Sequence, residues 1–246
     1  MPYASIARCW RLASFALLTA VGAGAAAATF GVSPLKLELG GSARSAIVTV
    51  SNHSSEPLVL AVEAVGWSMT EDGTEKYAPT EDLLFYPKAL SVPAGEKRVV
   101  RVAAQAPAGT AEKTYRLFLR ETQDKSAAPG LRAGVTMLVN FGVPVFLKTP
   151  GSKPNLVGSI SVSAGALLVS VSNVGTSRAR IESVSFSGEQ PRPHGTAYVL
   201  AGQTRTLNLS LSPADCTGDA QKTLEVATAD REQVLKLAAD LTALCK

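Results

Sequence analysis

Apolar and polar residues alternate with a period of two along most of this chain. Because successive side chains of a strand point to opposite faces, this period predicts β-strands rather than helices. Gly, Pro, Asn, Asp or Ser bound the alternating segments, and their spacing is typical of a β-sandwich. The sequence therefore predicts an all-β protein. The clearest segments are 46–50, 57–65, 99–103, 115–121, 135–146, 167–171, 181–186 and 206–211.

An internal repeat predicts two domains. The sequence Val-Thr-Val-Ser-Asn at 48–52 is echoed by Val-Ser-Val-Ser-Asn at 169–173, and each is followed by a polar turn and an apolar strand. Further on, Ala-Gly at 94–95 precedes Arg98 as Ala-Gly at 201–202 precedes Arg205. Two matches in the same order indicate one strand order used twice. Pro and Gly interrupt the pattern at 148–154, so we expect domains at 29–148 and 149–246.

The first residues have the composition of a secretory signal. Arg8 and Arg11 precede an apolar stretch at 12–20 and a run of small residues that ends at Ala28. The apolar stretch is shorter than the roughly 20 residues that a membrane-spanning helix needs. We therefore expect a signal peptide over 1–28, cleaved on export. A retained N-terminal anchor is the less favoured alternative.

Charge gives no support for nucleic-acid binding. Loss of residues 1–28 removes two of the 24 Lys and Arg and none of the 20 Asp and Glu, so the net charge falls from +4 to +2. The remaining cations are scattered along the chain without a basic run.

Two cysteines remain after the predicted cleavage, Cys216 and Cys245. In an oxidising compartment two thiols pair more often than they stay free, so a disulfide is predicted. The alternatives, metal ligation or redox chemistry, would need a Cys-x-x-Cys spacing or neighbouring histidines, and the sequence has neither.

Catalytic motifs are missing from the sequence. Its two histidines, His53 and His194, lie in turn-like segments, and no nucleophile elbow, zinc motif or phosphate-binding loop occurs. We expect no enzyme activity, no cofactor and no small-molecule substrate. Dispersed carboxylates could still meet in space, so an enzyme built on a sandwich stays a minor alternative.

One set of segments has a distinctive order and spacing: 32–39, 50–52, Trp67, 93–95 with 100–102, 115–116 with 119–121, and 143–146. Read together, these segments resemble the periplasmic pilus chaperones of the chaperone–usher pathway, and the Val-Pro-Val-Phe ending resembles the archaic branch. The resemblance implies two immunoglobulin-like sandwiches and a periplasmic location. It also implies that the protein captures pilus or fimbrial subunits and delivers them to an outer-membrane usher. Capture is by donor-strand complementation, in which an edge strand fills the gap in an incomplete subunit.

The donor strand implied by the resemblance has large apolar residues at every second position. Val135, Met137, Val139 and Phe141 have this spacing. The alternative is an ordinary core strand whose apolar face stays inside its own domain.

Charged positions of the family also map onto this chain. The acid–base–acid cluster that joins the two domains corresponds to Glu112, Lys148 and Asp230, with Lys148 where an arginine is usual. A lysine cannot make the bidentate contacts of a guanidinium, so a looser link is expected.

A basic site that binds the subunit's C-terminal carboxylate is the last feature that the resemblance implies. One of its cations corresponds to Lys36, whereas the other falls on Pro144, which carries no charge. Arg116, in the strand expected to pair with the donor strand, is the replacement candidate.

Two alternatives stay open. A secreted immunoglobulin-like structural or adhesive module would share the signal, the sandwiches and the disulfide without chaperone activity. In the free chaperone, two copies could also pair their edge strands in a self-capping dimer.

Overall fold

The computed structural model describes residues 30–122, 138–163, 165–229 and 233–245, with the backbone alone at 193, 194 and 196. The expected signal peptide, Val135, Met137 and Asp230 lie outside these residues. Within the described ranges, no helix is long and apolar enough to cross a membrane.

Ten strands of the first half form two sheets. One has the order β1-β3-β8-β6; the other has the order β2-β10-β9-β4-β5, with β7 also paired to β4. The strands are β1 (Phe30–Ser33), β2 (Leu37–Leu39), β3 (Ser45–Asn52), β4 (Leu58–Met69), β5 (Glu75–Pro79), β6 (Leu83–Tyr86), β7 (Ala89–Val92), β8 (Lys97–Ala104), β9 (Lys113–Glu121) and β10 (Asn140–Leu147).

Seven strands of the second half form two further sheets, with the orders β11-β12-β15 and β14-β13-β16-β17. The strands are β11 (Leu156–Ser163), β12 (Ala166–Asn173), β13 (Ala179–Phe186), β14 (Arg192–Val199), β15 (Thr204–Leu209), β16 (Gln221–Thr228) and β17 (Val234–Asp240), and a short 3₁₀ helix spans Pro213–Cys216. The prediction of an all-β fold with two sandwiches is confirmed.

Each sandwich has its own apolar core. Alternate residues of facing strands fill the first core, and Val48, Val100 and Leu117 in it are fully buried. The second core is built in the same way and includes Val169 and Leu224. Burying one such side chain stabilises a fold by roughly 1.5 to 3 kcal/mol.

The repeated asparagines, Asn52 and Asn173, make matching hydrogen bonds in the two domains. Each Nδ2 donates to the carbonyl four residues later, at 2.8 and 2.7 Å, and to the carbonyl of a buried valine, Val92 or Val199, at 3.0 Å. Each Oδ1 accepts from the backbone N–H two residues later, at 3.0 Å. Both asparagines are buried. The echo in the sequence is thus a repeated structural device, since a buried amide must find partners for all its polar atoms.

The β4–β5 hairpin turns at Glu71 and Asp72, one residue before the Asp72-Gly73 pair. Asp72-Gly73 is the usual pair for a type I′ turn. Instead, Gly73 N donates to Thr70 O at 2.9 Å, which puts Glu71 and Asp72 at the centre of the turn, and Gly73 follows with φ of 84°. Thr70 and Thr74 close the loop through a bond of 2.9 Å. The longer loop carries Glu71 to the second domain, where its carbonyl accepts from the backbone N–H of residue 206 at 2.6 Å.

Cys216 and Cys245 form a disulfide, with 5.2 Å between their Cα atoms. Cys216 ends the 3₁₀ helix, and Cys245 is the last described residue. The bond therefore ties the C-terminal segment to the second sandwich.

Candidate functional site

Strand β10 has a free edge along its first five residues. Asn140 to Leu147 pair antiparallel with β9 along their full length, but only Val145 to Leu147 pair with β2 on the other side. In the described part of the chain, no strand covers the other side of residues 140–144. An edge of this kind presents N–H and C=O groups that can accept an added strand, although the Gly142 carbonyl already accepts from Arg116 Nη1 at 3.3 Å.

One face of β10 is apolar throughout. Val143, Val145 and Leu147 are buried in the first core, and Phe141 packs against it with partial exposure. Val139, half-buried, precedes Phe141 by two positions and so continues this alternation. The two described residues of the predicted donor set therefore continue the face that builds the core.

Among the described residues, strand β10 begins at Asn140, so the start of the predicted strand 135–146 is not part of it. Leu138 and Val139 precede the strand, and the Val139 N–H donates to the Glu121 carboxylate at 3.1 Å. The Glu121 backbone N–H still donates to the Val139 carbonyl at 2.9 Å, so the ladder with β9 reaches Val139 through one backbone bond while the Glu121 side chain takes the other donor. Leu138 points to the other side, with 51% of its surface exposed.

Arg116 lies directly opposite Pro144 in the β9–β10 register. Directly opposed residues share one face of a sheet, so the Arg116 guanidinium projects from the face on which a side chain at 144 would lie. It forms an ion pair with Glu75, and it stacks on Trp67 with 4.0 Å between the guanidinium carbon and the ring centroid. Its side chain is only 15% exposed. The sequence did not indicate Glu75 as the partner of Arg116.

A cavity of about 470 Å³ opens between the two domains beside Arg116. Lys36 and Pro144 also line it, so all three positions considered for the carboxylate site meet there. Trp67 and Arg116 line this cavity, and the Trp67 indole N–H and the Arg116 Nε–H are buried and lack an acceptor among the residues described.

The joint between the domains is centred on Arg178 of the second domain. Its guanidinium pairs with Glu112 and with Glu38 of the first domain, and its carbon lies 3.6 Å from the centroid of the Phe146 ring. Lys148 binds the other oxygen of Glu38 at 2.6 Å. Glu112 and Lys148 thus lie at the joint, where the family resemblance put them, but each is paired with a residue that the sequence did not indicate.

The carboxylates of the joint have opposite pKa shifts. Burial raises the pKa of Glu112, because its side chain is 1% exposed and the charge of Arg178 does not fully compensate. Burial would also raise the pKa of Glu38, but the Lys148 hydrogen bond, the charge of Arg178 and the Lys36 hydrogen bond outweigh it and lower that pKa to about 2. Its surroundings therefore stabilise the anionic form of Glu38, whereas burial destabilises the anionic form of Glu112.

An apolar cluster supports the charged joint. Trp67, Met69 and Phe146 of the first domain pack with Leu200 and Tyr198 of the second. The Trp67 and Tyr198 rings meet edge to face, with 5.8 Å between their centroids. Such pairs contribute about 0.5 to 1.5 kcal/mol beyond the area they bury.

Comparison with known proteins identifies the family. The family model of pili and flagellar-assembly chaperones, PapD N-terminal domain, matches residues 29–152. A search of curated proteins gave no significant match.

Solved structures with this fold include pilus chaperones from several bacteria. A chaperone–tip adhesion subunit complex, CsuC–CsuE, of archaic Csu pili from Acinetobacter baumannii has a TM-score of 0.65 and 17% identity, over 85% of this chain and 98% of that one. The SafA pilin–SafB chaperone complex from Salmonella enterica gives 0.56 and 14%, over 86% and 97%. The E. coli chaperone DraB gives 0.55 and 12%, over 86% and 96%.

At these identities the structural matches establish the fold, whereas the family model covers half of the chain. The chain therefore belongs to the family of pili and flagellar-assembly chaperones.

Proposed function

We propose that this protein captures pilus subunits in the periplasm by donor-strand complementation and delivers them to an outer-membrane usher. The observation that carries the proposal is the free edge of β10 beside a continuous apolar face. An incomplete subunit needs both features, since its core lacks apolar side chains and its sheet lacks a backbone partner.

The apolar face supplies the side chains for the subunit's groove. Phe141 and Val143 already pack in the chaperone's own core, so the free members of the series lie before them. Val135, Met137 and Val139 are the residues that we assign to the subunit, with Phe141 at the boundary. In this division, the later apolar residues of the segment pack in the chaperone's core and the earlier ones are free to contact the subunit.

Lys36 and Arg116 are proposed to bind the subunit's C-terminal carboxylate. Both line the cavity between the domains, and Arg116 lies opposite Pro144, where the family's lysine is missing. A buried carboxylate needs charge-assisted bonds to offset the loss of its hydration.

The predicted secretory signal and the disulfide between Cys216 and Cys245 both favour an oxidising compartment. Glu112, Lys148 and Asp230 are retained as the proposed interdomain link, with Arg178 and Glu38 added to it. The link would hold the cleft in the shape that a subunit occupies.

A pair of neighbouring residues tests the donor strand. Val139→Asp places a charge on the apolar face, whereas Leu138→Asp places the same charge on the exposed side one position away. The chaperone is co-expressed with small secreted β-rich subunits, and equimolar complex is measured by size-exclusion chromatography. We expect the wild type and Leu138→Asp to yield complex and Val139→Asp to yield none, because a buried unpaired charge is costly.

Circular dichroism checks that both variants are folded. Equal yields from the two folded variants would contradict the assignment of this face to the subunit. Failure of the wild type to bind any subunit would instead favour the structural or adhesive module.

A further inference from the structure

Two adjoining cavities between the domains, of about 490 and 470 Å³, carry an excess of positive charge. Among the described residues, their walls contain six cations and three carboxylates. The carboxylates are Glu38, Glu75 and Glu112, and the cations are Lys36, Arg116, Lys148, Arg178, Arg180 and Arg205. An uncompensated concentration of one charge in a cleft attracts the opposite charge.

The carboxylates neutralise only part of this set. Glu38 is shared by Lys36, Lys148 and Arg178, while Glu112 pairs with Arg178 and Glu75 pairs with Arg116. These contacts account for four of the six cations and all three carboxylates.

The other two cations come from the second domain and differ in their contacts. Arg205 donates to the Tyr198 carbonyl at 3.3 Å. Arg180 is exposed, and its guanidinium has no hydrogen-bond or ion-pair partner in the described part of the molecule. Among the described residues, Arg180 is therefore the cation of the cleft that makes no hydrogen bond or ion pair.

The strand register of the second domain directs the Arg180 side chain toward the first domain. Arg180 of β13 lies directly opposite Tyr198 of β14, so the two side chains share a face. Tyr198 packs against Trp67 and Phe146 of the first domain, which fixes the direction of that face. Lys36 and Arg180 both line the two cavities and so mark the place where the cavities meet.

We propose that Arg180 is the second-domain half of the anion site and binds the client's C-terminal carboxylate opposite Lys36. The inference rests on the proposed function. Arg116, the first-domain replacement for the cation missing at Pro144, is already paired with Glu75, and a further arginine can bind both oxygens of a carboxylate through parallel hydrogen bonds. The bound chain end would then be held from both domains, so that subunit binding also fixes the joint.

The test uses the equimolar complex of the chaperone with its co-expressed subunit. Arg180→Gln removes the charge from an exposed position, and Arg180→Lys retains it. Arg98→Gln is the matched control, since Arg98 is a half-exposed arginine of β8 that pairs with Glu96. The subunit is prepared with its native C-terminus and with a two-glycine extension that moves the carboxylate out of position, and dissociation constants are measured for each combination.

We expect Arg180→Gln to weaken binding of the native subunit about 10- to 100-fold, which corresponds to the loss of one charge-assisted hydrogen bond. Arg180→Lys should recover part of this loss, and Arg98→Gln should match the wild type. The extended subunit should bind the wild type and Arg180→Gln equally. Equal binding of the native subunit by the wild type and Arg180→Gln would overturn the role of Arg180 and leave the chaperone activity intact. A wild type that binds no subunit would refute the proposed function itself.

Discussion

Replacing Arg178 with Gln tests whether the joint depends on a buried ion pair. The change removes the only cation that contacts Glu112 among the residues described, and Glu112 has a side chain that is 1% exposed. Breaking a buried pair by removing one partner costs about 3 to 5 kcal/mol, because the other charge stays buried without compensation. The contact with the Phe146 ring is lost as well, and such contacts contribute about 0.5 to 2 kcal/mol. We therefore expect a loss of about 3 to 5 kcal/mol in the free energy of unfolding at neutral pH.

The pH dependence of this loss has a definite sign. The pKa of Glu112 is raised above its ordinary value of 4.5, so its contribution to stability is present below that value and is lost as pH rises through the folded-state pKa. Without Arg178 the pKa rises further, and a neutral Glu112 forms at milder acidity. The cost of Arg178→Gln should therefore shrink between about pH 7.5 and about pH 5. Glu38 stays ionised over this range, because its pKa is about 2.

Urea unfolding of the mature chain at the two pH values measures the effect. Arg120→Gln is the control, since Arg120 forms an exposed pair with Glu63 at 2.9 Å and should cost less than about 1 kcal/mol. The double variant Glu112→Gln/Arg178→Gln should regain much of the loss, because no buried carboxylate remains. An equal loss at both pH values, together with a double variant no more stable than Arg178→Gln, would refute this account.

Two further predictions concern the disulfide and the carboxylate site. Mass spectrometry should find no alkylatable thiol at Cys216 or Cys245, and two free thiols in native protein would contradict the pairing. Replacing both with Ser should lower the free energy of unfolding by roughly 3 to 4 kcal/mol, the value for a loop of about 30 residues. Arg116→Gln should weaken subunit binding by roughly 2 to 5 kcal/mol, whereas Glu75→Gln, which leaves the arginine charged, should not. Equal affinities for the two variants in a binding titration would remove Arg116 from the site.

The sequence predicts most of this fold because backbone periodicity is a local property. A period of two needs only neighbouring residues, and it located β3, β4, β8, β9, β12 and β13. The repeat around Asn52 and Asn173 likewise predicted two sandwiches, since each asparagine acts within its own domain. The β4–β5 hairpin lies at the Asp72-Gly73 pair, but its centre is shifted by one residue because Thr70 and Thr74 close the loop through contacts that no dipeptide rule contains.

The charged site was less predictable, since its pairs join residues far apart in the chain. Glu38 and Arg178 are 140 positions apart, and only the packing of the two domains brings them together. Glu38 lies between two buried leucines of β2, as any outward-facing polar residue would. Glu75, the partner of Arg116, and Arg180, proposed to bind an anion, likewise have no local sequence signal. Positions carried over from the family located Glu112 and Lys148 at the joint but not their partners.

Pro144 limits the length of chain that can be added to the edge of β10. A proline has no N–H to donate and is tolerated in a sheet where its nitrogen faces the unpaired side. It stands one residue before Val145, where β2 begins to occupy that side. A strand that grows along the edge therefore meets first a missing donor and then an occupied position. In the proposed complex, the added segment would therefore end beside Pro144, next to the cavity.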